Sequence, residues 1–177
     1  MDDTERVNAM GLTLILSAAG CALLFFGIWG LTVTMPSKIL IGFFPEDVQE
    51  KLQPRVNSLP FTWKTAAGWV ILILFVTGYI SLFVIAGIDG IRNGFTFLQL
   101  WVRFLIIGTV IKLFDIIGLD YFLLTKSHFF QHYFPETEGC EGWKQFGYNR
   151  KQQLRQIVMT LIGTLITAWI CTFFAGG

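Results

Sequence analysis

Three charged residues, Lys112, Asp115 and Asp120, cluster within one predominantly apolar stretch of the chain. Charge within a hydrophobic span is costly to bury, so it is retained where it pairs, binds a ligand or carries an ion. On a helix that turns about 100° per residue, Lys112 and Asp115 lie about 60° apart, close enough to pair; Asp120 lies about 80° from Lys112 on its other flank. An ammonium between two carboxylates, set around a polar cavity, can hold a charged ligand or exchange protons. Arg103 belongs to the same stretch but to the opposite side of the helix, about two turns from its start. It either reaches out toward water or meets a neighbouring helix. Lys112, Asp115, Asp120 and Arg103 are therefore the ligand-binding residues expected from the sequence.

A second group follows at once. His128 and His132, the two histidines of the sequence, are four residues apart, and Glu136, Glu138, Cys140 and Glu141 come next. If the segment is helical, both imidazoles share a face. Imidazole with carboxylate suits zinc, iron, manganese or nickel, and a metal held there would activate water. His128, His132 and Glu138 form the expected set for a divalent transition metal. The H-E-x-x-H pattern of zinc proteases is not met, because Phe129 stands where its glutamate belongs. The alternative is a polar and aromatic cap over helix ends, with Pro135 ending any helix begun at Thr125. No phosphate-cradling loop or nucleophile elbow occurs, and the sequence singles out no catalytic residue.

The elements that must position these groups are legible in the composition. Hydrophobic residues make up 54% and charged residues 14% of the 177, against roughly 45–50% and about 25% in a soluble domain. Four apolar stretches, 9–34, 65–88, 95–124 and 156–174, approach or exceed the ~20 residues that cross a bilayer. All five prolines lie outside them. The expected fold is all-α: a single domain over 1–177, built as an integral membrane bundle of four transmembrane helices. The first stretch follows an acidic segment, Asp2, Asp3 and Glu5 against Arg6, and exceeds a signal peptide's apolar core, so it reads as a retained helix. In the first loop, Pro45 precedes Glu46 and Asp47 in the order of a helix N-terminus. A short interfacial helix is expected there, sealing or gating the bundle.

Orientation follows from lysine and arginine. The first and third loops carry nine of them, the tails and second loop two, which places loops 35–64 and 125–155 in the cytoplasm. Arg150, Lys151 and Arg155 then face anionic headgroups, making membrane lipid a partner. The tryptophans lie near the span ends, as an interfacial belt. Thr160, Thr164, Ala168 and Thr172 recur every four residues on the last helix. Small residues at that spacing let backbones approach, either inside the bundle or between copies in a homo-oligomer. The net charge of +1 gives no electrostatic footprint for nucleic acid. Cys21, Cys140 and Cys171 form no disulfide framework.

Phe114-Asp115-x4-Asp120, followed by Pro135-Glu136-Thr137-Glu138-Gly139, resembles a set of small multipass bacterial membrane proteins. In these a third hydrophobic segment also carries F-D-x4-D and runs into a P-x-T-E turn. The likeness spans about 25 residues, departs at Glu136, where that set has glycine, and brings no assigned activity. It implies a bacterial plasma membrane and draws attention to Asp115, Asp120 and Glu138. Three functions are compatible with these residues. The leading one is a membrane protein handling a small ligand or ion at the polar site of the third helix. The others are a membrane enzyme using His128 and His132 on a lipid or apolar substrate, and an accessory subunit of a larger complex.

Overall fold

The computed structural model describes residues 3–34, 41–58 and 62–175. The apolar segment around Ile39 and Leu40, with Lys38, lies outside them. All regular structure among the described residues is helical: α1 (Asp3–Thr34), α2 (Glu46–Ser58), α3 (Trp63–Arg92), α4 (Phe97–Phe114), α5 (Phe129–Tyr133) and α6 (Arg150–Ala175), with short 3-10 turns between. α4 passes directly into a π-helical segment, Asp115–Lys126.

Three helices are long and apolar enough to cross a membrane: Val7–Thr34, Trp63–Arg92 and Arg150–Phe174. Their outer faces leave large apolar side chains exposed, among them Ile73, Leu74, Leu161, Trp169 and Phe173. The third hydrophobic stretch is built differently. α4 carries Arg103 and Lys112 within its 18 residues, and it occupies the middle of the bundle, packed chiefly on α6 and α1, while α1 packs on α3. Leu100, Phe104 and Ile107 of α4 are fully buried. The helix that carries Arg103 and Lys112 in mid-span thus takes an enclosed position, where its charges can find partners.

Local sequence explains the ends. Asn93 and Gly94 close α3, and Gly94 takes φ +66, a backbone that glycine adopts without strain. Thr96 then opens α4 with a capping box: its hydroxyl accepts from Gln99 N at 3.4 Å while Gln99 Oε1 accepts from Thr96 N at 2.9 Å. Small residues set the helix contacts. A Cβ on Gly108 would lie 2.8 Å from Thr160 Cγ2, so α4 and α6 approach at backbone distance. The threonine and alanine face of α6 is thereby used inside one chain. Thr164 and Ala168 are buried there.

At one end of the bundle, α2, α5 and the turns around them form a cap. Val48 and Leu52 of α2 are fully buried with Phe44, Phe134 and Trp143. Gly142 N donates to Asp47 Oδ2 at 2.9 Å; any side chain at Gly142 would collide with Asp47 and Pro45. Arg55 of α2 binds Glu136 at 2.8 Å. Burial pushes the Glu136 carboxyl up, but the hydrogen bonds from Arg55 and the backbone, with the arginine's charge, outweigh it and hold the group below its usual 4.5. A depressed folded-state pKa contributes stability above the unfolded value and loses it as pH falls through the folded value. The Tm difference between wild type and Glu136→Gln should therefore be present above pH 4.5 and close on further acidification. A difference that stays constant with pH would show that the pair contributes nothing.

Candidate functional site: a cleft with a polar floor

α1, α3, α4 and α6 enclose a cleft of about 750 Å3. α3 and α6 meet where Gly87 faces Cys171, at a distance of 2.9 Å from an ideal Cβ to the sulfur, and they part toward the cap. The walls are apolar, with Leu24 and Ile28 on α1 and Phe75, Tyr79 and Phe83 on α3. Phe44 and Phe130 of the cap close one end. Val76 and Ile80 of α3 and Met159 of α6 line the cleft yet are 46%, 57% and 62% exposed. The cleft therefore opens sideways, between α3 and α6.

Its floor is polar. Lys112 Nζ donates to Asp115 Oδ2 at 2.7 Å and also to Gln156 Oε1 of α6. Asp120 Oδ2 accepts from Asn149 Nδ2 at 3.1 Å and from Gln153 Nε2. Gln153 Oε1 is buried and has no hydrogen-bond partner among the described residues. Beside them Tyr148 donates its hydroxyl to the Phe43 carbonyl oxygen. Burial, reinforced by the negative charges of Asp120 and Asp115, pushes this phenol far above its ordinary value of 10.0, so it stays a donor.

The π-helical turn decides which side chains share this floor. On an α-helix, Asp115 and Asp120 would point about 140° apart. Hydrogen bonding from i to i+5, seen directly where Ser127 N donates to Phe122 O at 3.0 Å, widens each turn. Residues five apart then come onto one face, and both carboxylates line the cleft with Lys112. π-helical geometry is rare and is frequent at functional sites.

Of the four expected ligand-binding residues, Lys112, Asp115 and Asp120 are brought together and Arg103 is not. Arg103, only 3% exposed, donates to Asp89 Oδ2 at 2.6 Å, to Ala86 O and Thr13 Oγ1 at 3.1 Å each, and to Ala9 O at 3.4 Å. Its guanidinium also lies 5.4 Å from the Phe95 ring centroid. It clasps α1, α3 and α4 together, away from the cleft lining, because it sits on the other side of α4. The sequence leaves its partner open between water and a neighbouring helix; the neighbour is Asp89.

The expected metal set is not assembled. His128, His132 and Glu138 line a separate hollow of about 400 Å3 in the cap, with Gln131, Cys140 and Lys144. Among the described residues no three His, Cys, Asp or Glu side chains come together as metal ligands. The physical reason lies at His128, which takes φ 52, the left-handed region. α5 starts only at Phe129, so His128 stands before the helix as its N-cap residue, while still lining the same hollow as His132. Pro135 does end α5, opening the next 3-10 turn.

Sequence reasoning missed the α6 half of the floor. The side-chain amide of Asn149, just before α6, serves Asp120. Asn149, Gln153, Gln156 and Thr160 repeat at intervals of four, three and four residues, a polar stripe of helical period that was available as a signal. No protein-family model, curated protein or solved structure matches this chain.

Proposed function

We propose that the chain is an integral membrane protein whose cleft holds a small, largely apolar ligand at the polar floor of Lys112, Asp115 and Asp120. α4 with its π-helical extension would be the fourth span, enclosed by the three apolar helices, giving a four-helix transmembrane bundle. The cap and loops 35–64 and 125–155 then lie on the cytoplasmic side, where the excess of lysine and arginine belongs. The observation that carries the reading is the coincidence of three ionisable groups with a sideways-opening apolar cleft of about 750 Å3, within the size range of small-molecule sites. The opening between α3 and α6 would admit the ligand from the bilayer.

Native mass spectrometry of the protein released from lipid nanodiscs tests this. Wild type should carry one small molecule per chain. Two variants should lose it while keeping helix content and Tm. Asp115→Asn removes a carboxylate of the floor. Gly163→Trp fills the cleft from a position where an added Cβ meets nothing within 4 Å. A bare wild-type mass, or an adduct that survives both substitutions, would remove the reading. Loss of folded protein in Asp115→Asn would make the Lys112–Asp115 pair a structural one.

A further inference from the structure

The charges on the cleft lining do not balance. Its ionisable groups are two carboxylates, Asp115 and Asp120, against one ammonium, Lys112. That ammonium is already committed to Asp115 and to Gln156. Asp120 takes part in no ion pair among the described residues. Both amides that reach it use Oδ2, which leaves Oδ1 open. Gln153 Oε1, on the neighbouring side chain, is buried and unpartnered. Gln153, hydrogen-bonded through Nε2 to Asp120, therefore keeps a buried acceptor without a donor beside a carboxylate with one oxygen unengaged. Buried acceptors are normally satisfied, and each exception calls for an explanation. At the Tyr148 phenol, raised first by burial, the charges of Asp120 and Asp115 act in the same direction.

An anion placed on this floor would meet a lysine with its attraction spent and a carboxylate with none of its own. A quaternary ammonium would answer the charge but offer no hydrogen to Gln153. An ammonium that keeps N–H donors answers both. The cleft walls are lined by Phe75, Tyr79 and Phe83 on one side and by Ile28 and Leu24 on another, which suits an alkyl or arylalkyl body. Resting on the reading of the cleft as a ligand site, we propose that its ligand is an amphipathic amine, protonated and primary or secondary. Its head is held between Asp120 and Gln153, and its body lies along α3.

Equilibrium binding to the full chain in phosphatidylcholine nanodiscs decides the point, with empty discs subtracted to remove partitioning. Three probes of equal chain length are compared: dodecylamine, dodecanol and dodecanoate. Saturable binding of the amine is expected at one per chain, at least tenfold tighter than the alcohol or the carboxylate. Asp120→Asn should weaken the amine at least tenfold and leave the alcohol unchanged, and Gln153→Leu should weaken it severalfold. The wild-type ranking stands by itself if a variant fails to fold. Tighter binding of dodecanoate or dodecanol than of the amine overturns the proposal but keeps the cleft as a ligand site. Equal amine affinity in folded Asp120→Asn also overturns it. Absence of saturable binding by all three probes removes the proposal and the ligand-site reading together.

Discussion

Replacing Arg103 by methionine should destabilise the folded protein by about 2 kcal/mol, the cost of stripping the buried partner from a part-buried pair. The guanidinium is enclosed by three helices and donates to four acceptors. Methionine fills a similar volume, so packing loss is not the main effect. The loss falls on Asp89, which is left with its charge and without its cation. Three of the abandoned acceptors suffer less, because Thr13 donates to Ala9 O at 2.8 Å in its own right and backbone carbonyls keep their helical bonds. The double variant Arg103→Met/Asp89→Asn should therefore recover most of the loss. Denaturation in mixed micelles, followed by far-UV circular dichroism, measures both. A single-variant cost under about 1 kcal/mol, or no recovery in the double variant, would mean that the clasp contributes little.

The second large effect is expected in the cap. Trp143 is buried, stacks on Phe130 at 5.7 Å with rings 5° from parallel, and meets Phe44 edge-on at 5.2 Å. Its Nε1 donates to both Thr137 O and Thr137 Oγ1. Trp143→Ala removes the largest side chain of this cluster, and truncations of that kind cost about 3–5 kcal/mol. Trp143→Phe keeps the ring contacts and loses the indole donor, so it should cost only about 1–2 kcal/mol. Because Phe44 and Phe130 also close one end of the cleft, the alanine variant should bind any cleft ligand more weakly. Hydrogen exchange across residues 41–58 and 129–148, read beside Tm, separates a loosened cap from global unfolding. Unchanged protection of the cap in Trp143→Ala would show that α2 is held by other contacts.

Much of the helical architecture can be read from periodicity and charge. The long apolar runs became α1, α3 and α6, each extended a few residues beyond the expected bounds, and the proline and acids at 45–47 became α2. The pairing of Lys112 with Asp115 follows from spacing on any helix. What could not be read depended on departures from the regular helix. Angular reasoning at 100° per residue sets Asp120 apart from Asp115, and only the π-helical turn reunites them. The same reasoning sets His128 and His132 on one continuous helix, whereas His128 is a left-handed residue just before α5. Partners across the fold were also hidden: nothing in the neighbourhood of Arg103 points to Asp89, and nothing near Asp120 points to Asn149 and Gln153.

The direction in which these partners lie along the chain has a bearing on how the protein is made. Every group that receives a hydrogen bond from Arg103, from Ala9 and Thr13 to Ala86 and Asp89, precedes it in sequence. When α4 leaves the ribosome, the whole receiving set for its most costly charge has already been synthesised, and the clasp can close on the nascent chain. The cleft floor has the opposite polarity. Gln156, Asn149 and Gln153 all follow Lys112 and Asp120, so the floor stays incomplete until α6 arrives. The partners of the clasp are thus already made when α4 appears, whereas the site waits for α6, which follows it in the chain.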